Sequence, residues 1–298
     1  MVKVRVPAST SNLGSGFDTF GLALQLYLTV EIDTISQGLE IHASGEGAAD
    51  IPSDERNLVF SAIKKISQIS KKRLPGLKIY SINEIPLLRG LGSSGAAIAA
   101  GLVAGKHLFG LSVSIDELLS IGTGMDGHPD NVSASLNGGL VINATDKGAV
   151  ITKKVPVDEK LRCVFMVPDN AISTKTARQI LPEKILLADA IYNVQRSALL
   201  VQAILERDYG NLKTAMQDRL HHPYRKHLIR WYDEFEKCGY ENGALGISIS
   251  GSGSAILGIT CQDTERLSNA WTNKAKDLRL NAKVMVVGCD NTGAVIEA

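Results

Sequence analysis

The sequence lacks a cysteine pair at metal-site or redox-site spacing, a long apolar run, and an excess of charge of either sign. Its four cysteines are far apart and form no C-x-x-C pair, which predicts reduced thiols. The longest weakly polar run, Gly95 to Gly105, is too short to span a bilayer. With 32 basic and 31 acidic residues, the formal net charge of +1 argues against a surface dedicated to nucleic acid.

Several functional signatures are also missing. The opening residues, MVKVRVPAST, contain no apolar segment followed by a cleavage site, so we expect no secretory signal and a cytoplasmic location. The histidine-rich stretch at positions 221–227 has no accompanying cysteines, so a zinc site is not predicted. The Walker pattern G-x-x-x-x-G-K-[ST] is absent, as are the V-A-I-K, H-R-D and D-F-G signatures of protein kinases.

The sequence does contain enough hydrophobic residues to form the cores of two folded domains. Of the 298 residues, 44% are hydrophobic and 21% are charged, which is typical of a folded globular chain. The polar stretch from Thr145 to Lys160 is the expected junction, and it divides the chain into residues 1–156 and residues 157–298. Strand and helix patterns are mixed without steady βαβ alternation, so the predicted fold class is α+β.

Local patterns predict the principal elements. Short β-branched runs indicate strands at residues 2–6, 24–34 and 283–287. Helical spacing of apolar residues, with caps at several ends, indicates helices over 54–72, 95–108, 114–121, 183–207 and 263–277. Pro129 is well placed for the first turn of a further helix.

The stretch from Gly90 to Gly95, GLGSSG, joins an extended apolar segment to an Ala-rich helix. It satisfies G-x-G-x-x-G, but a dinucleotide fold also needs an acidic residue at a strand end about 20 residues later. Asp116 and Glu117 have that spacing and lie within a helical pattern instead. The loop therefore predicts a phosphate at a helix N-terminus, with the hydroxyls of Ser93 and Ser94 facing a magnesium ion or a phosphate oxygen.

Six ordered motifs together resemble a known family. The segment PLLRGLGSSGAA resembles the phosphate loop of the GHMP small-molecule kinases, and PASTSNLGSGFDTFGLAL and ISISGSGSAI match two more of their signatures. Within that superfamily, the first of these two signatures, PASTSNLGSGFDTFGLAL, together with GHPDN, STKTARQILP and DRLHHPYR, resembles the homoserine kinases. The resemblance extends over nearly the whole chain. It implies a ribosomal-protein-S5-domain-2-like N-terminal half (residues 1–156) and a ferredoxin-like C-terminal half (residues 157–298).

The resemblance also implies an activity. Homoserine kinases transfer the γ-phosphoryl group of ATP, with Mg²⁺, to the side-chain hydroxyl of L-homoserine on the route to threonine. The expected partner is therefore a small molecule, with neither nucleic acid nor membrane involved. Dimers are common in the family, so a homodimer is expected, although no residue pattern in the sequence demonstrates one.

Residue roles on the nucleotide side come from the same resemblance. Ser94 corresponds to a magnesium ligand, and Asp126 stands where the family has a second ligand, Glu. Asn57 corresponds to an adenine contact. Gly95 replaces a usual Ala, which would loosen the helix start by about 1 kcal/mol. The expected ATP loop consists of Pro86, Leu87, Leu88, Arg89, Gly90, Leu91, Gly92, Ser93, Ser94, Gly95 and Ala96.

On the amino-acid side, the resemblance assigns Asp18 to the substrate ammonium, with Asn12 beside it. Arg178 and Arg225 correspond to the pair that binds the carboxylate, where guanidinium forks are strong and directional. Asn131 corresponds to the residue that bonds the reacting hydroxyl, and Thr174 to a nearby contact.

Two questions stay open from the sequence. Asp130 is either a general base or the N-cap of a helix, whereas His128 is interpreted as structural. A mevalonate-type kinase is an alternative activity, although its substrate lacks an ammonium for Asp18. A catalytically silent nucleotide-binding protein is another, and Asp126 in place of Glu is the feature that favours it.

Overall fold

The computed structural model describes residues 1–297, which form two β-sheets with helices packed against them. The strands are β1 (Val2–Ser11), β2 (Phe20–Ile35), β3 (Leu39–Gly45), β4 (Gly76–Asn83), β5 (Leu140–Asp146), β6 (Ala149–Val155), β7 (Arg162–Pro168), β8 (Gly246–Ile249), β9 (Ile256–Thr260), β10 (Ala282–Gly288) and β11 (Val295–Glu297). The helices are α1 (Leu58–Ser70), α2 (Ser93–Leu108), α3 (Ile115–Asp126), α4 (Asp130–Asn137), α5 (Thr174–Gln179), α6 (Leu187–Glu206), α7 (Leu212–Ala215), α8 (His222–Arg225), α9 (Tyr232–Glu241) and α10 (Thr264–Asp277).

The first sheet is built around the long strand β2. Its strand order is β11-β1-β2-β4-β3, and β5 pairs with the beginning of β2 and with β6. Only β3 and β4 are parallel, because α1 connects them as a crossover. The register of β1 on β2 shifts between Pro7 and Ala8, at a proline that has no N–H for the ladder. Strand β11 pairs with β1, so the C-terminal residues return to the first sheet.

Helix α2 is buried because it lies between the first sheet and the neighbouring helices. It packs against β1, α1, α3 and α4. Its small residues allow this crowding: a Cβ on Gly101 would lie 2.3 Å from the carbonyl oxygen of Val59, and one on Gly105 would lie 3.0 Å from the Cβ of Ile66. A sequence that is apolar all round is what this environment requires.

The second sheet has the antiparallel order β10-β7-β9-β8. Helices α5 to α9 follow its first strand and α10 follows its third, which is the βαββαβ arrangement of ferredoxin-like folds. Its core centres on Trp271, whose ring meets Phe235 edge-on at 5.9 Å and whose indole N–H donates to the Phe235 carbonyl. The α+β prediction is confirmed.

The local predictions hold best where apolar periodicity is strong. The helices predicted from residues 54, 95 and 263 form as α1, α2 and α10, and Ser114 caps α3 in a capping box with Glu117. The helix predicted from residue 183 starts at Leu187, and part of the expected junction is strand β6. Strand β3 and the helices α5, α7, α8 and α9 were not predicted. Between residues 1 and 297, no helix combines the length and apolarity needed to cross a membrane.

Two glycine substitutions separate packing from intrinsic helix propensity. We expect Gly101→Ala to lower the free energy of unfolding by about 1–3 kcal/mol, because its new Cβ overlaps the backbone of α1. Gly124→Ala, on exposed α3 with no atom near the added Cβ, should raise it by about 0.5–1 kcal/mol. Urea denaturation of both variants measures the difference, and equal effects would contradict the packing described for α1 and α2.

Candidate active site

A cleft of about 710 Å³ opens between the two halves of the molecule. One wall contains the N-terminus of α2, with Ser93 and Ser94, and the other contains Arg178 and Arg225 from the C-terminal half. A helix terminus with free N–H groups and two guanidinium groups therefore share one cavity. Both are suited to anions, so the cleft can hold two negatively charged groups side by side.

The predicted phosphate loop, residues 86–96, requires glycine at two positions, because the backbone there has positive φ angles and lies close to neighbouring segments. Gly90 and Gly92 have positive φ angles of 77° and 70°. A Cβ on Gly90 would lie 2.0 Å from the Ser250 carbonyl oxygen, and one on Gly92 would lie 2.1 Å from the Ser9 hydroxyl. The 16-residue helix α2 begins immediately after Gly92, so its positive end faces the cleft.

The C-terminal half holds this loop in place. The Ser250 hydroxyl donates to the Gly90 carbonyl at 2.6 Å, and the Ala255 N–H donates to the Arg89 carbonyl at 3.2 Å. The guanidinium of Arg89 donates to the carbonyls of Pro168 and Asp169. Arg89 was predicted as part of the ATP loop. Its backbone lies there, while its side chain ties the loop to the end of β7.

A second loop, Asn12 to Thr19, follows β1 and presents Asp18 to the cleft. Asn12 organises it, because its side-chain oxygen accepts from the Asp18 N–H and its amide donates to the Gly251 carbonyl, both at 3.0 Å. Asn12 is buried, with a φ of 70°. A left-handed conformation is tolerated best by Gly, Asn and Asp, which explains the residue type.

Asp18 and Arg178 face each other across the cleft. The two guanidinium nitrogens of Arg178 donate to the two carboxylate oxygens of Asp18 at 3.0 and 2.6 Å, in the bidentate geometry that suits this pair. Both side chains remain more than one-third exposed. The sequence assigned them to opposite charges of one substrate, and the structure brings them together.

Arg225 is in a different situation. It is 2% exposed, yet within the described residues its guanidinium forms no ion pair with a carboxylate. It donates to the carbonyls of Ala177 and Gly251, at 3.2 and 2.9 Å. Burial, followed by the charge of Arg178, lowers the pKa of Arg225 to about 10, so it stays charged at neutral pH. A buried cation without a counter-ion at the edge of a cleft calls for an anionic ligand.

Phe17 is a site residue that the sequence did not reveal. Its ring lies 5.5 Å from the guanidinium carbon of Arg178 and 5.1 Å from that of Arg225. Such contacts stabilise cations on an aromatic face. The sequence feature that could have identified Phe17 is its position next to Asp18 in the GSGFDTFG motif.

The pair His221 and His222 was set aside as a zinc candidate, and the structure gives both residues a supporting role. His221 lies within hydrogen-bond distance of the Gly14 carbonyl at 2.9 Å and of Arg225 at 3.4 Å. His222 accepts from the Ile249 N–H at 3.1 Å. Asp218, which is fully buried, accepts from the backbone N–H groups of both histidines. This network fixes the position of α8 and hence of Arg225.

Asn131 lies at the start of α4, beside the phosphate loop. Its amide donates to the Ser9 hydroxyl at 3.0 Å, and its side-chain oxygen accepts from Ser11 at 3.4 Å. A Cβ on Gly95 would lie 2.8 Å from the Cβ of Asn131. Gly95 was predicted to belong to the ATP loop and to loosen the start of α2, and the structure shows that it also makes room for Asn131.

A charged cluster surrounds His128. Its Nδ1 lies 3.2 Å from a carboxylate oxygen of Asp126 and 3.3 Å from one of Asp130. Burial alone would lower the pKa of His128, but the contacts with the two carboxylates outweigh it and raise the pKa to about 10. The structural role predicted for His128 stays a prediction, and the two flanking carboxylates are contacts that the prediction did not include. The sequence feature that could have revealed this cluster is the spacing D-x-H-x-D, formed by Asp126, His128 and Asp130.

The predicted residues around this cluster differ in placement. Asp130 lines the cleft, and the N-cap position considered for it falls instead on Pro129. Asp126 is 8% exposed and, within residues 1–297, is not part of the cleft lining. One of its carboxylate oxygens is buried and forms no hydrogen bond. His128 lies within hydrogen-bond distance of this oxygen, but the angle of the contact is unsuitable for a hydrogen bond.

Asn57 and Thr174 also line the cleft. Asn57 caps α1, because its side-chain oxygen accepts from the N–H groups of Val59 and Phe60 at 3.0 and 3.3 Å. Its amide donates to the Pro52 carbonyl at 2.9 Å. An adenine contact for Asn57 stays a prediction. Thr174 is the exposed first residue of α5.

The buried histidines predict how stability depends on pH. Burial is the main cause that lowers the pKa of His221 to about 3 and that of His222 to about 4, below roughly 6.5 in an unfolded chain. Protons therefore bind the unfolded chain first, and stability is lost as the pH falls below about 6.5. We expect a loss of up to roughly 1.4 kcal/mol per pH unit for each histidine.

Urea denaturation between pH 6 and pH 5 measures this slope, because His128, whose pKa is raised to about 10, is then charged in both the folded and the unfolded chain and adds little to the slope. His222→Gln should reduce the slope by about half, whatever it does to stability at pH 7.5, because one titrating group is gone. Asp218 does not contribute to the measured slope, because its pKa is lowered and it changes the free energy of unfolding only below about pH 4. A slope that is unchanged in the variant would contradict the neutral, buried state of His222.

Comparison with known proteins agrees with this geometry. Residues 57–139 match the GHMP kinases N terminal domain, and residues 200–277 match the GHMP kinases C terminal domain. Homoserine kinases of Aquifex aeolicus and Caldicellulosiruptor saccharolyticus are each 40% identical to this chain, over 99% of its length and 99% and 96% of theirs.

Solved structures give the same result. The homoserine kinase of Cytophaga hutchinsonii superimposes with a TM-score of 0.88 at 28% identity, covering 99% of this chain and 97% of the other. A mevalonate kinase of L. major superimposes with a TM-score of 0.73 at 16% identity, covering 97% of this chain and 96% of the other, which shows a shared fold alone. The chain is thus a member of the homoserine kinase family of the GHMP kinases.

Proposed function

We propose that this kinase transfers the γ-phosphoryl group of ATP to the side-chain hydroxyl of L-homoserine, with the amino acid held between Asp18, Arg178 and Arg225. The family gives the overall reaction. The assignment of residues to each charge of the substrate rests on the geometry of the cleft. Because the reaction consumes ATP and the sequence shows no secretory signal, we infer that the protein works in the cytoplasm.

The observation that carries the proposal is the buried guanidinium of Arg225. It is charged at neutral pH, has no carboxylate partner within the described chain, and lines the same cleft as the phosphate loop. A ligand carboxylate would supply the missing counter-charge and accept hydrogen bonds from it. The contacts of Arg225 with Gly251, Ala177 and His221 fix its direction in advance.

The pair formed by Asp18 and Arg178 explains a preference for a zwitterion. Without substrate, each group satisfies the other. A bound amino acid can separate them, because its ammonium replaces Arg178 at Asp18 and its carboxylate replaces Asp18 at Arg178. A ligand with only one of the two charges would leave one member of the pair unsatisfied. This exchange disfavours mevalonate, which lacks the ammonium.

On the nucleotide side, the loop from Pro86 to Ala96 would enclose the triphosphate at the N-terminus of α2. Homoserine would lie with its hydroxyl near Asn131, whose side chain is oriented by Ser9 and Ser11. The hydroxyl oxygen forms the new bond to the γ-phosphorus, the bond from that phosphorus to the β,γ-bridging oxygen breaks, ADP leaves, and the hydroxyl proton is released to solvent. Such transfers depend mainly on alignment and charge stabilisation.

A role for Asp130 as the general base stays a prediction. Its carboxylate accepts from the Asn131 N–H at 2.8 Å and faces His128. The same carboxylate oxygen, Oδ1, makes both contacts. They place Asp130 where it holds Asn131 in position.

The residues present fit a magnesium ion. The hydroxyl of Ser94, which lines the cleft, and the carboxylate of Asp126 are hard oxygen donors. One oxygen of Asp126 is buried and contacts His128 at 3.2 Å without forming a hydrogen bond, so a metal ion bound to it would replace that contact. We propose that these two side chains hold Mg²⁺, which when bound would neutralise charge on the β- and γ-phosphates. Asp is one methylene shorter than the Glu of the family pattern, and Gly95 permits the close approach of α2 and α4 beside it.

An assay of ADP release with L-homoserine, L-threonine, L-serine, mevalonate and L-homoserinol tests the substrate assignment. We expect L-homoserine to be used best, and L-homoserinol, which lacks the carboxylate, to show a KM about 10- to 100-fold higher. Arg225→Gln should raise the KM for L-homoserine by a similar factor and leave that for L-homoserinol nearly unchanged. Equal effects on the two substrates would show that Arg225 does not meet the carboxylate, and preference for mevalonate would overturn the proposal.

The magnesium assignment has its own test. Asp126→Asn should lower kcat about 10- to 100-fold and weaken Mg²⁺-dependent ATP binding, because a neutral amide is a poorer ligand. Asp116→Asn, an exposed residue of the same helix, is the matched control and should change neither quantity. Unchanged Mg²⁺ dependence in Asp126→Asn would remove Asp126 from the metal site, and a wild-type protein that binds ATP without turnover would be the silent homologue.

A further inference from the structure

The phosphate loop is in contact with the segment that carries two of the predicted substrate contacts. We call this segment, residues 168–178, the substrate arm. It runs from the end of β7 into α5, and it includes Thr174 and ends at Arg178. The Ile172 N–H of the arm donates to the Leu88 carbonyl of the loop at 3.3 Å. Both segments line the cleft, so the proposed nucleotide site and the proposed amino-acid site are joined through the backbone.

Arg89 connects the loop to the arm through its side chain as well. Its Nε donates to the Pro168 carbonyl at 2.6 Å, and one terminal nitrogen donates to the Asp169 carbonyl. The other terminal nitrogen donates to the Leu87 carbonyl at 3.0 Å. One guanidinium therefore binds carbonyl groups of both segments at once. Its planar fork of five N–H groups allows this, whereas the single ammonium of a lysine cannot reproduce the same geometry.

The hydrogen bonds of Arg89 distinguish it from a residue that acts by its charge alone. Within the described residues its guanidinium forms no ion pair, and all three of its nitrogens donate to backbone carbonyls. A phosphate of the nucleotide would have to compete with these carbonyls for the same N–H groups. The direction of the side chain is thus set by the loop and the arm, which is the behaviour of a link between two segments.

The substrate arm depends on such contacts because little of it is buried. Within residues 171–179, only Ile172 and Ala177 are buried. Helix α5 has six residues, which is too short to be stable without tertiary contacts. Segments with so little buried apolar surface open at a low cost in free energy, so their few partners determine how well they are ordered. The position of Arg178 is therefore sensitive to the order of the phosphate loop.

We propose that Arg89 is a positioning residue that couples the two ligand sites. A bound nucleotide orders the phosphate loop, Arg89 transmits this order to the substrate arm, and Arg178 is then held where it meets the substrate carboxylate. The identity of the amino acid in this scheme rests on the proposed function. Because coupling between two sites is reciprocal, L-homoserine tightens the binding of the nucleotide by the same factor as the nucleotide tightens that of L-homoserine.

Isothermal titration calorimetry with L-homoserine, with and without Mg²⁺ and the non-hydrolysable ATP analogue AMP-PNP, measures the coupling. In the wild type we expect AMP-PNP to lower the Kd of L-homoserine about 5- to 20-fold. Arg89→Lys keeps the charge but not the fork, and should reduce this factor to about 1- to 2-fold. AMP-PNP alone should bind this variant within about 3-fold of the wild type, which shows that the loop is intact.

A matched control and a second variant separate positioning from charge. Lys175→Met removes an exposed charge from α5 and should keep the wild-type coupling. If Arg89 acted instead as a charge on the triphosphate, Arg89→Met would weaken the binding of AMP-PNP alone, while Arg89→Lys would retain both this binding and the coupling. That result would overturn the proposal, as would a wild-type protein whose two ligands bind independently.

Hydrogen–deuterium exchange tests the link without reference to the amino acid. In the wild type, Mg²⁺ and AMP-PNP should slow the exchange of the α5 amides by about 5-fold or more, and in Arg89→Lys this protection should be lost. Protection that persists in Arg89→Lys, or that is absent from the wild type, would overturn the proposal. A wild-type protein that shows the protection but does not bind L-homoserine would refute the proposed function, while the link through Arg89 would stand.

Discussion

Two adjacent residues of the C-terminal half, Ser250 and Gly251, hold the two sides of the cleft together. The Ser250 hydroxyl contacts Thr10 at 2.9 Å and donates to Gly90 in the phosphate loop. The Gly251 carbonyl accepts from both Asn12 and Arg225. All of these hydrogen bonds are partly or wholly buried, so breaking one would leave a polar group without a water partner and would cost free energy. Because transfer between two bound molecules depends on their alignment, this junction sets the geometry on which the chemistry relies.

Charge is distributed unevenly along the cleft, in a way that suits an anion at one end and a zwitterion at the other. At one end, the helix terminus and the backbone N–H groups of the phosphate loop favour anions. At the other, a carboxylate and a guanidinium neutralise each other, while a second, buried guanidinium has no carboxylate partner among residues 1–297. Between them, His128 is held between two carboxylates. An anionic nucleotide and a zwitterion can occupy such a site together without leaving a buried charge unmatched.

The sequence predicted much of the site because its residues lie in short motifs with strong local constraints. Gly90 and Gly92 were expected in a phosphate loop, and both have the positive φ angles that only glycine adopts easily. The resemblance added Asn12, Asp18, Thr174, Arg178 and Arg225, and the structure places them in one cleft, although their roles stay proposals. Phe17, His221 and Ser250 could not be found this way, because their importance comes from contacts with residues far along the chain.

By itself, the sequence determined the α+β class, the buried character of α2 and the glycine-rich turn before it, because apolar period, helix caps and backbone freedom are local properties. Only the tertiary structure decided that the last strand returns to the first sheet, that Asp18 pairs with Arg178, and that Arg225 is buried with no carboxylate beside it among the described residues. These features depend on which distant segments pack together. Burial and charge pairing are properties of that packing, and they have no signature in the order of residues alone.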